Sequence, residues 1–199
     1  MKHSAARRFA LGFALQLFAF STVFVGSDAE ARTRRQPASE VSEAAPPCLD
    51  ESGKELLIDN VRALDLKKKG GDGKAYRARI KGQVVSKTSQ RCSSRSGSCH
   101  AHFQIQIGPQ KTDTVEVVYS EDFGQMKEPA QGETVEACGD FLNTSRQRNS
   151  GPSGAIIHWV HRANCMDHEH GYVLVEGSDL YGMGADRNPR PCRPGVAER

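Results

Sequence analysis

Residues 99–107 read Cys-His-Ala-His-Phe-Gln-Ile-Gln-Ile, with apolar and polar side chains in alternation. Successive side chains of a β-strand point to opposite faces of the sheet, so this stretch predicts a strand with one buried and one exposed face. The apolar face carries Ala101, Phe103, Ile105 and Ile107, and the polar face carries His100, His102, Gln104 and Gln106.

The same period of two recurs along the chain. It is present at residues 76–84, 115–119 and 135–141, and residues 155–161 form a fifth stretch that is apolar on both faces. Turn-forming residues separate these stretches, and no long helix intervenes. The pattern predicts a mainly β protein, a small five-stranded antiparallel Greek-key barrel of the oligonucleotide/oligosaccharide-binding (OB) kind, with a small β-sandwich as the alternative.

One helix is expected before the first strand. Leu57, Val61 and Leu64 recur at helical spacing within residues 51–66. The lysine- and glycine-rich residues 67–73 would end this helix, because glycine commonly follows the last helical turn.

Both ends of the chain have compositions that do not suit a folded core. Residues 1–31 combine a basic start, an apolar run and an Ala-Glu-Ala cleavage pattern, which predicts a secretory signal peptide; an uncleaved anchor is the alternative. Residues 32–47 predict a flexible linker. Residues 48–183 would form one disulfide-stapled domain, followed by an Arg- and Pro-rich tail at 184–199 in which Cys192 is the only expected anchor.

The net charge of the mature chain limits the classes of partner that it could bind. Removal of residues 1–31 would leave 24 Lys+Arg (27 − 3) and 22 Asp+Glu (24 − 2), a net charge of +2. This value is too close to neutral for a generally basic nucleic-acid binder, so any basic surface would be a local patch. No membrane span is expected after signal cleavage, and the predicted location is periplasmic or secreted.

All six cysteines follow the predicted signal peptide. An even number of cysteines in an exported chain predicts disulfides. Cys92 and Cys99 bracket the polar sequence Ser-Ser-Arg-Ser-Gly-Ser, so a hairpin would bring them together. The other four are expected to pair among themselves, as Cys138–Cys165 and Cys48–Cys192.

The segment Gly-Ala-Ile-Ile-His158-Trp159-Val-His161 contains the only tryptophan of the chain, and His168 and His170 follow it closely. Histidine ligates metals, transfers protons near neutral pH and binds anions when charged, so this segment predicts a functional site. On a regular strand His158 would lie on one face, and Trp159 and His161 on the other. A hydrogen-bonded histidine packed in or near the core is the alternative reading of His158.

Several short elements stand in a characteristic order along residues 76–175. They are His100-Ala-His-Phe103, Asp122-Phe123, Gly132-Glu-Thr-Val-Glu136 with Gly139, the His158-Trp159-Val-His161 element, His168, and Gly171-Tyr172. Their order and spacing resemble a family of short secreted bacterial proteins known as domain of unknown function 3465. The resemblance implies a small all-β domain of barrel type and supplies no activity. The chain departs from the family pattern at Tyr119, Ala163-Asn164 and Tyr172.

The histidines form two overlapping candidate sets. The catalytic candidates are His161, His168 and His100, and the metal-ligand candidates are His161, His168 and His170. A metal site needs three or four ligands at about 2.0–2.3 Å. Cys165 precedes His168 at ligand-like spacing, but an exported cysteine is more often oxidised than metallated. We expect no cofactor, with a divalent metal as the alternative.

A second candidate surface depends on strand pairing. If the first two strands form a hairpin, Arg77 and Arg79 would lie beside His100 and His102 on one polar face that could bind anions. An ordinary solvated outer face is the alternative. The predicted ligand-binding residues are therefore Trp159, His161, His168, His100, His102, Arg77 and Arg79.

These observations favour an exported binding module for an anionic ligand, which could be a nucleic acid, a glycan or a small acid. The alternative is a metal-assisted or His-based hydrolase acting on phosphodiester-type substrates, in which Glu136 or Asp167 would assist His161 and His168. A third interpretation is a stable envelope protein whose histidines only pack. The sequence leaves the protein partners open.

Overall fold

Eight strands and one α-helix make up the described part of the chain, which in this computed structural model comprises residues 44–70, 74–145, 153–165 and 168–195. The predicted signal peptide and most of the predicted linker lie outside these residues. The elements are α1 (Asn60–Lys69), β1 (Ala75–Val84), β2 (Ser89–Cys92), β3 (Cys99–Gln106), β4 (Thr114–Ser120), a 3-10 helix (Glu121–Phe123), β5 (Thr134–Asn143), β6 (Ala155–His158), β7 (Tyr172–Val175) and β8 (Leu180–Tyr181).

Five of these strands close into a barrel. β3 pairs antiparallel with β4, β4 pairs in parallel with β6, and β6 pairs antiparallel with β5. β5 then pairs along the whole of β1, whose last two residues return to β3 and complete the circle. The predicted OB-like barrel is thus confirmed, with one parallel pair among its ladders.

The barrel interior is filled by the apolar faces of the predicted strands. Its members include aromatic and β-branched side chains that are fully buried, and each contributes about 1.5–3 kcal/mol to the free energy of unfolding. The largest are Tyr119, Phe103, Phe141, Ile80, Ile105 and Ile157. Strands β2, β7 and β8, which are only two to four residues long, extend the sheet outside the barrel and were not predicted.

Helix α1 begins later than the sequence predicted. It starts at Asn60 because the Asp59 side chain accepts a hydrogen bond from the Arg62 amide at 2.9 Å and so caps the first turn. The predicted apolar face is wrong at two of its positions, since Leu57 is 78% exposed and Val61 is 72% exposed. Ala63 is buried in the barrel core, and the predicted Leu64, together with Leu66, packs against that core while partly buried.

Hydrogen bonds hold α1 at the end of the barrel where β3 ends and β4 begins. The Asn60 amide donates to the carbonyls of Lys81 and Ile107, and the Lys67 ammonium donates to the carbonyls of Thr112 and Thr114. The opposite ends of β3 and β4 are therefore not covered by this helix.

Three disulfides pair all six cysteines. Cys92–Cys99 is confirmed, with a Cα–Cα distance of 4.0 Å that is shorter than expected because the two residues are direct cross-strand partners in the β2–β3 hairpin. The other two predicted pairs are wrong, since the bonds are Cys48–Cys138 and Cys165–Cys192. Disulfides indicate that this fold belongs to an oxidising compartment. None of the helices in the described ranges is long and apolar enough to cross a bilayer.

The predicted basic face of β1 is also wrong. β1 places Arg77 opposite Asp140 of β5, and not beside the histidines of β3. Arg77 donates to the Asp140 carboxylate at 3.0 Å and to the carbonyls of Leu49 and His170, and its side chain is only 3% exposed. In this pairing β5 offers the acidic partners Asp140 and Glu136 to β1, whereas the polar face of β3 contains only histidine and glutamine side chains.

Arg79 also forms an ion pair with an acidic residue of β5. Its guanidinium donates to Glu136 at 2.7 Å, and the Tyr172 hydroxyl donates to the same carboxylate oxygen at 2.5 Å. Both arginines therefore belong to a polar network on the outside of the barrel, beneath the segment that Cys48 anchors.

We predict that Arg77→Ala lowers the free energy of unfolding by about 3–5 kcal/mol, because the change leaves Asp140 without its partner in a site from which water is largely excluded. Denaturant unfolding measures this loss. The control is Arg95→Ala in the exposed β2–β3 turn, where a change within about 0.5 kcal/mol is expected. An Arg77→Ala protein as stable as the control would contradict the assignment.

Candidate functional site

The backbone turns out of the barrel at Trp159. β6 ends at His158, and Trp159 has φ 51°, the only positive φ of a non-glycine residue in the described part of the chain. This conformation breaks the alternation of faces. Val160 is buried in the core, Trp159 is 36% exposed, and His158 and His161 come to the same side. The predicted separation of His158 from His161 onto opposite faces is therefore wrong.

Two glycines make room for this turn. A Cβ atom at Gly171 would lie 2.2 Å from the carbonyl oxygen of Trp159, and one at Gly139 would lie 2.4 Å from the carbonyl oxygen of His158. Real side chains do not approach backbone so closely, so only glycine permits the chain to cross here. Both glycines belong to the elements that carry the family resemblance.

A cleft of about 430 Å³ opens beside this turn, at the end of β3 and β4 that faces away from α1. We call it the histidine cleft. Its lining comes from four separate parts of the chain: the β2–β3 hairpin, the end of β4 with the following 3-10 helix, the segment after β6, and residues 186–193. The lining side chains include His100, His158, His161, His168, Trp159, Phe123, Asp122, Asn164, Asp186, Asn188, Arg190 and Arg193.

Ring contacts hold two of the histidines. His161 stacks on Phe123 with ring centroids 3.9 Å apart, and His168 stacks on Trp159 at 5.3 Å. The His161 and His168 rings meet edge to face at 6.0 Å. Across the cleft, His158 lies 6.2 Å from His100 and 5.4 Å from Trp159. The rings thus form one continuous series around the cleft.

Backbone carbonyls orient the same two imidazoles. His161 Nδ1 lies 2.9 Å from the carbonyl oxygen of Arg162, and His168 Nδ1 lies 3.0 Å from that of Glu169. A carbonyl can only accept, so each Nδ1 carries the proton. In the neutral ring the lone pair is then on Nε2, and Nε2 is the atom that can accept a proton or bind a metal.

Burial keeps His100, His158 and His161 neutral near pH 7. Burial, with the neighbouring imidazoles acting in the same direction, lowers the pKa of His158 to about 4. Burial also lowers the pKa of His161 to about 4, although the hydrogen bond to Arg162 opposes the shift. The pKa of His100 is lowered for the same principal reason, with the nearby His102 and Arg190 acting in the same direction.

His102 lies two residues after His100 on β3 and does not line the cleft. Its Nδ1 donates to the buried carboxylate of Glu116 at 2.8 Å, and this hydrogen bond lowers the pKa of Glu116. The His100 and His102 rings are 6.4 Å apart. The His102–Glu116 pair therefore lies beside His100 on β3 and outside the lining of the cleft.

The structure brings four of the predicted site residues together and separates the others. Trp159, His161, His168 and His100 line the histidine cleft. Arg77, Arg79 and His102 do not, and neither does His170, whose Nδ1 accepts a hydrogen bond from the Ala163 amide at 3.0 Å. Glu136 is engaged by Arg79 and Tyr172, and Asp167 lies outside the described residues.

Sequence reasoning missed the part of the site that comes from the C-terminal segment. The residues concerned are Asp186, Asn188, Arg190 and Arg193. The signal available was Cys192, because a disulfide-bonded cysteine among prolines fixes its neighbours in space. The partner of that cysteine was assigned incorrectly, and the neighbours therefore could not be placed.

No group of three or more His, Cys, Asp or Glu side chains in the described ranges is arranged to hold a metal ion. The three metal-ligand candidates are not gathered in one place, since His161 and His168 line the cleft and His170 does not.

Comparison of this chain with protein-family models, curated proteins and solved structures finds no significant match in any of the three. The family resemblance of the sequence elements therefore stays a prediction, and the site is interpreted from its own chemistry.

The lowered histidine pKa values predict a pH dependence of stability. His158 and His161 have folded pKa values of about 4 against the ordinary histidine value of 6.5, so the unfolded chain binds more protons between these values. The free energy of unfolding should therefore fall as the pH is lowered from about 6.5 to about 4. Urea unfolding at several pH values measures the slope.

The matched comparison is the His158→Gln/His161→Gln double variant, which cannot take up these protons. We expect its free energy of unfolding to change less over the same pH interval. An identical slope in the two proteins would show that these histidines are not the groups responsible.

Proposed function

We propose that this protein is an exported binding module, periplasmic or secreted, that holds a small anionic ligand in the histidine cleft. The observation that carries the proposal is the turn at Trp159. A non-glycine residue at positive φ costs about 1–3 kcal/mol, and such strain concentrates at functional sites. Here the strained turn gathers a half-exposed tryptophan and four histidines around one cleft.

The dimensions of the cleft favour a small acid over a nucleic acid or a glycan chain. Its volume of about 430 Å³ lies within the range of small-molecule sites, about 300–1,000 Å³. The exposed ring of Trp159 offers an apolar surface beside polar donors from Asn164 and Asn188. This combination suits an anion attached to a compact planar or apolar group.

Charge in the cleft is balanced at neutral pH and becomes positive in acid. When the imidazoles are neutral, the two positive charges of Arg190 and Arg193 balance the two negative charges of Asp122 and Asp186. Each imidazole that gains a proton adds one positive charge, and a bound anion favours that protonation. Anion affinity should therefore rise as the pH falls, and added salt should reduce it by screening.

A second candidate function is His-based hydrolysis of a phosphodiester-type substrate. It is favoured by the Nδ1 hydrogen bonds of His161 and His168, which leave Nε2 of each neutral ring able to accept a proton. In a metal-assisted form of this hydrolase, the cleft histidines would hold a divalent metal. Product formation and elemental analysis of protein purified without chelators or a His-tag distinguish both versions from simple binding.

The binding proposal predicts that anions change the fluorescence of Trp159. Because the chain has one tryptophan, its emission reports only on the cleft. We would titrate the mature protein with pyrophosphate, citrate, uridine monophosphate, a single-stranded oligothymidylate and a sulfated glycan, near pH 7.5 and near pH 5. The expected result is saturable binding of a small anion, several-fold tighter at the lower pH and weaker in high salt.

The His161→Ala variant should bind more weakly than wild type, whereas His170→Ala, outside the cleft, should bind like wild type once both are shown to be folded. Saturation by the oligothymidylate or the glycan alone would replace the small acid with that polymer as the ligand class. No response to any of the five compounds at either pH would contradict the binding proposal. Cleavage of the oligothymidylate, whose nucleotides are joined by phosphodiester bonds, would favour the hydrolase.

A further inference from the structure

Residues 182–193 form a segment that crosses the open side of the histidine cleft, and we call it the C-terminal strap. At its start, the Gly182 carbonyl accepts a hydrogen bond from the Arg162 amide at 2.7 Å. At its end, Cys192 is bonded to Cys165 with a Cα–Cα distance of 5.7 Å. The sequence suggested Cys192 as the only anchor, but the strap is fastened at both ends and at points between them.

Three hydrogen bonds tie the middle of the strap to three different walls of the cleft. The Arg187 amide donates to the carbonyl of Asp122 at 2.8 Å. The Asn164 side chain donates to Asp186 at 2.5 Å, and the Asn188 side chain donates to the Ser98 hydroxyl at 3.0 Å. The strap therefore follows one defined path over the cleft.

Two arginines of the strap line the cleft and form no ion pair with an acidic side chain of the described residues. Arg190 and Arg193 line it, yet within the described residues neither guanidinium lies at ion-pair distance from an Asp or Glu. By contrast, Arg77 and Arg79 both have acidic partners. Guanidinium groups bind phosphate and carboxylate oxygens in a paired geometry, so two unpaired ones in a cleft are suited to an oxyanion.

We infer that the strap is part of the binding site, that Arg190 and Arg193 bind the oxyanion of the ligand, and that the Cys165–Cys192 disulfide holds them over the histidines. This inference rests on the proposed function and specifies the ligand as one that carries a phosphate-type or carboxylate-type group. The histidines and Trp159 would contact the remainder of the ligand from the opposite wall.

The disulfide is needed to position the arginines, because the hydrogen bonds described above that hold the strap all precede Arg190 in the chain. The last hydrogen bond before Arg190 is that of Asn188, and the next fixed point is Cys192. Without the disulfide, the chain from residue 189 onward has no covalent tie to the cleft, and the entropy of the released segment opposes binding. The arginines would remain present but would no longer be held in place.

The test uses pyrophosphate as the probe and Trp159 fluorescence as the readout, on the full mature chain. Arg190→Ala/Arg193→Ala should weaken binding by about tenfold or more, equal to about 1.4 kcal/mol or more. The matched control is Arg187→Ala on the same strap, whose side chain does not line the cleft, and its affinity should stay within about twofold of wild type.

A second pair of variants tests the disulfide. Cys165→Ser/Cys192→Ser should also weaken binding, and the arginine changes should cost much less in this background than in the disulfide-bonded protein, because they act on side chains that are no longer positioned. Thermal unfolding of each variant confirms that it is folded. Additive losses would overturn the role of the disulfide, even if the arginines contribute.

The outcomes separate this inference from the proposed function. If wild type binds pyrophosphate and the double arginine variant binds it equally well, the strap inference is overturned and the proposed function stands. If wild type binds none of the titrated anions, the proposed function fails and the strap inference fails with it.

Discussion

The candidate site depends on one backbone crossing. Residues 158–160 pass over Gly139 and Gly171 at a distance that no side chain would permit. This contact turns the chain out of the barrel at Trp159, whose φ of 51° ends β6. Without the turn, a continued strand would alternate His158 and His161 between the two faces, and no cleft could collect both. The aromatic stacks and hydrogen bonds described above hold the side chains only after the backbone has brought them together.

Local patterns in the sequence were sufficient for the elements of the barrel and insufficient for their pairing. The alternation at residues 99–107 predicted β3 because burial of one face is a property of the strand itself. The partner of β1 could not be read in this way, since strand pairing depends on the complete topology, in which β1 pairs along its length with β5 and only at its end with β3. Cys92–Cys99 was predictable because a short turn joins its cysteines, whereas the two long-range disulfides depend on the complete topology.

The same distinction applies to the site. The density of histidines around Trp159 pointed to a segment that lines the cleft, and His100, predicted with it, lines the same cleft from a distant strand. The strap could not be predicted, because its composition of arginine and proline is that of a flexible tail. Only the bond from Cys192 to Cys165 and the contacts of Asp186 and Asn188 reveal that it covers the cleft. The barrel, the strained turn and the disulfide-bonded segment together form the histidine cleft.

The central claim is that four histidines from different parts of the chain face one anion-binding cleft. Two-dimensional NMR of the imidazole nitrogens of the mature protein, with and without pyrophosphate near pH 5, tests this claim most directly, because each ring reports its own tautomer and protonation. We expect the ligand to shift the resonances of His100, His158, His161 and His168 and to leave that of His170 unchanged. Equal shifts at His170, or shifts confined to one histidine, would contradict it.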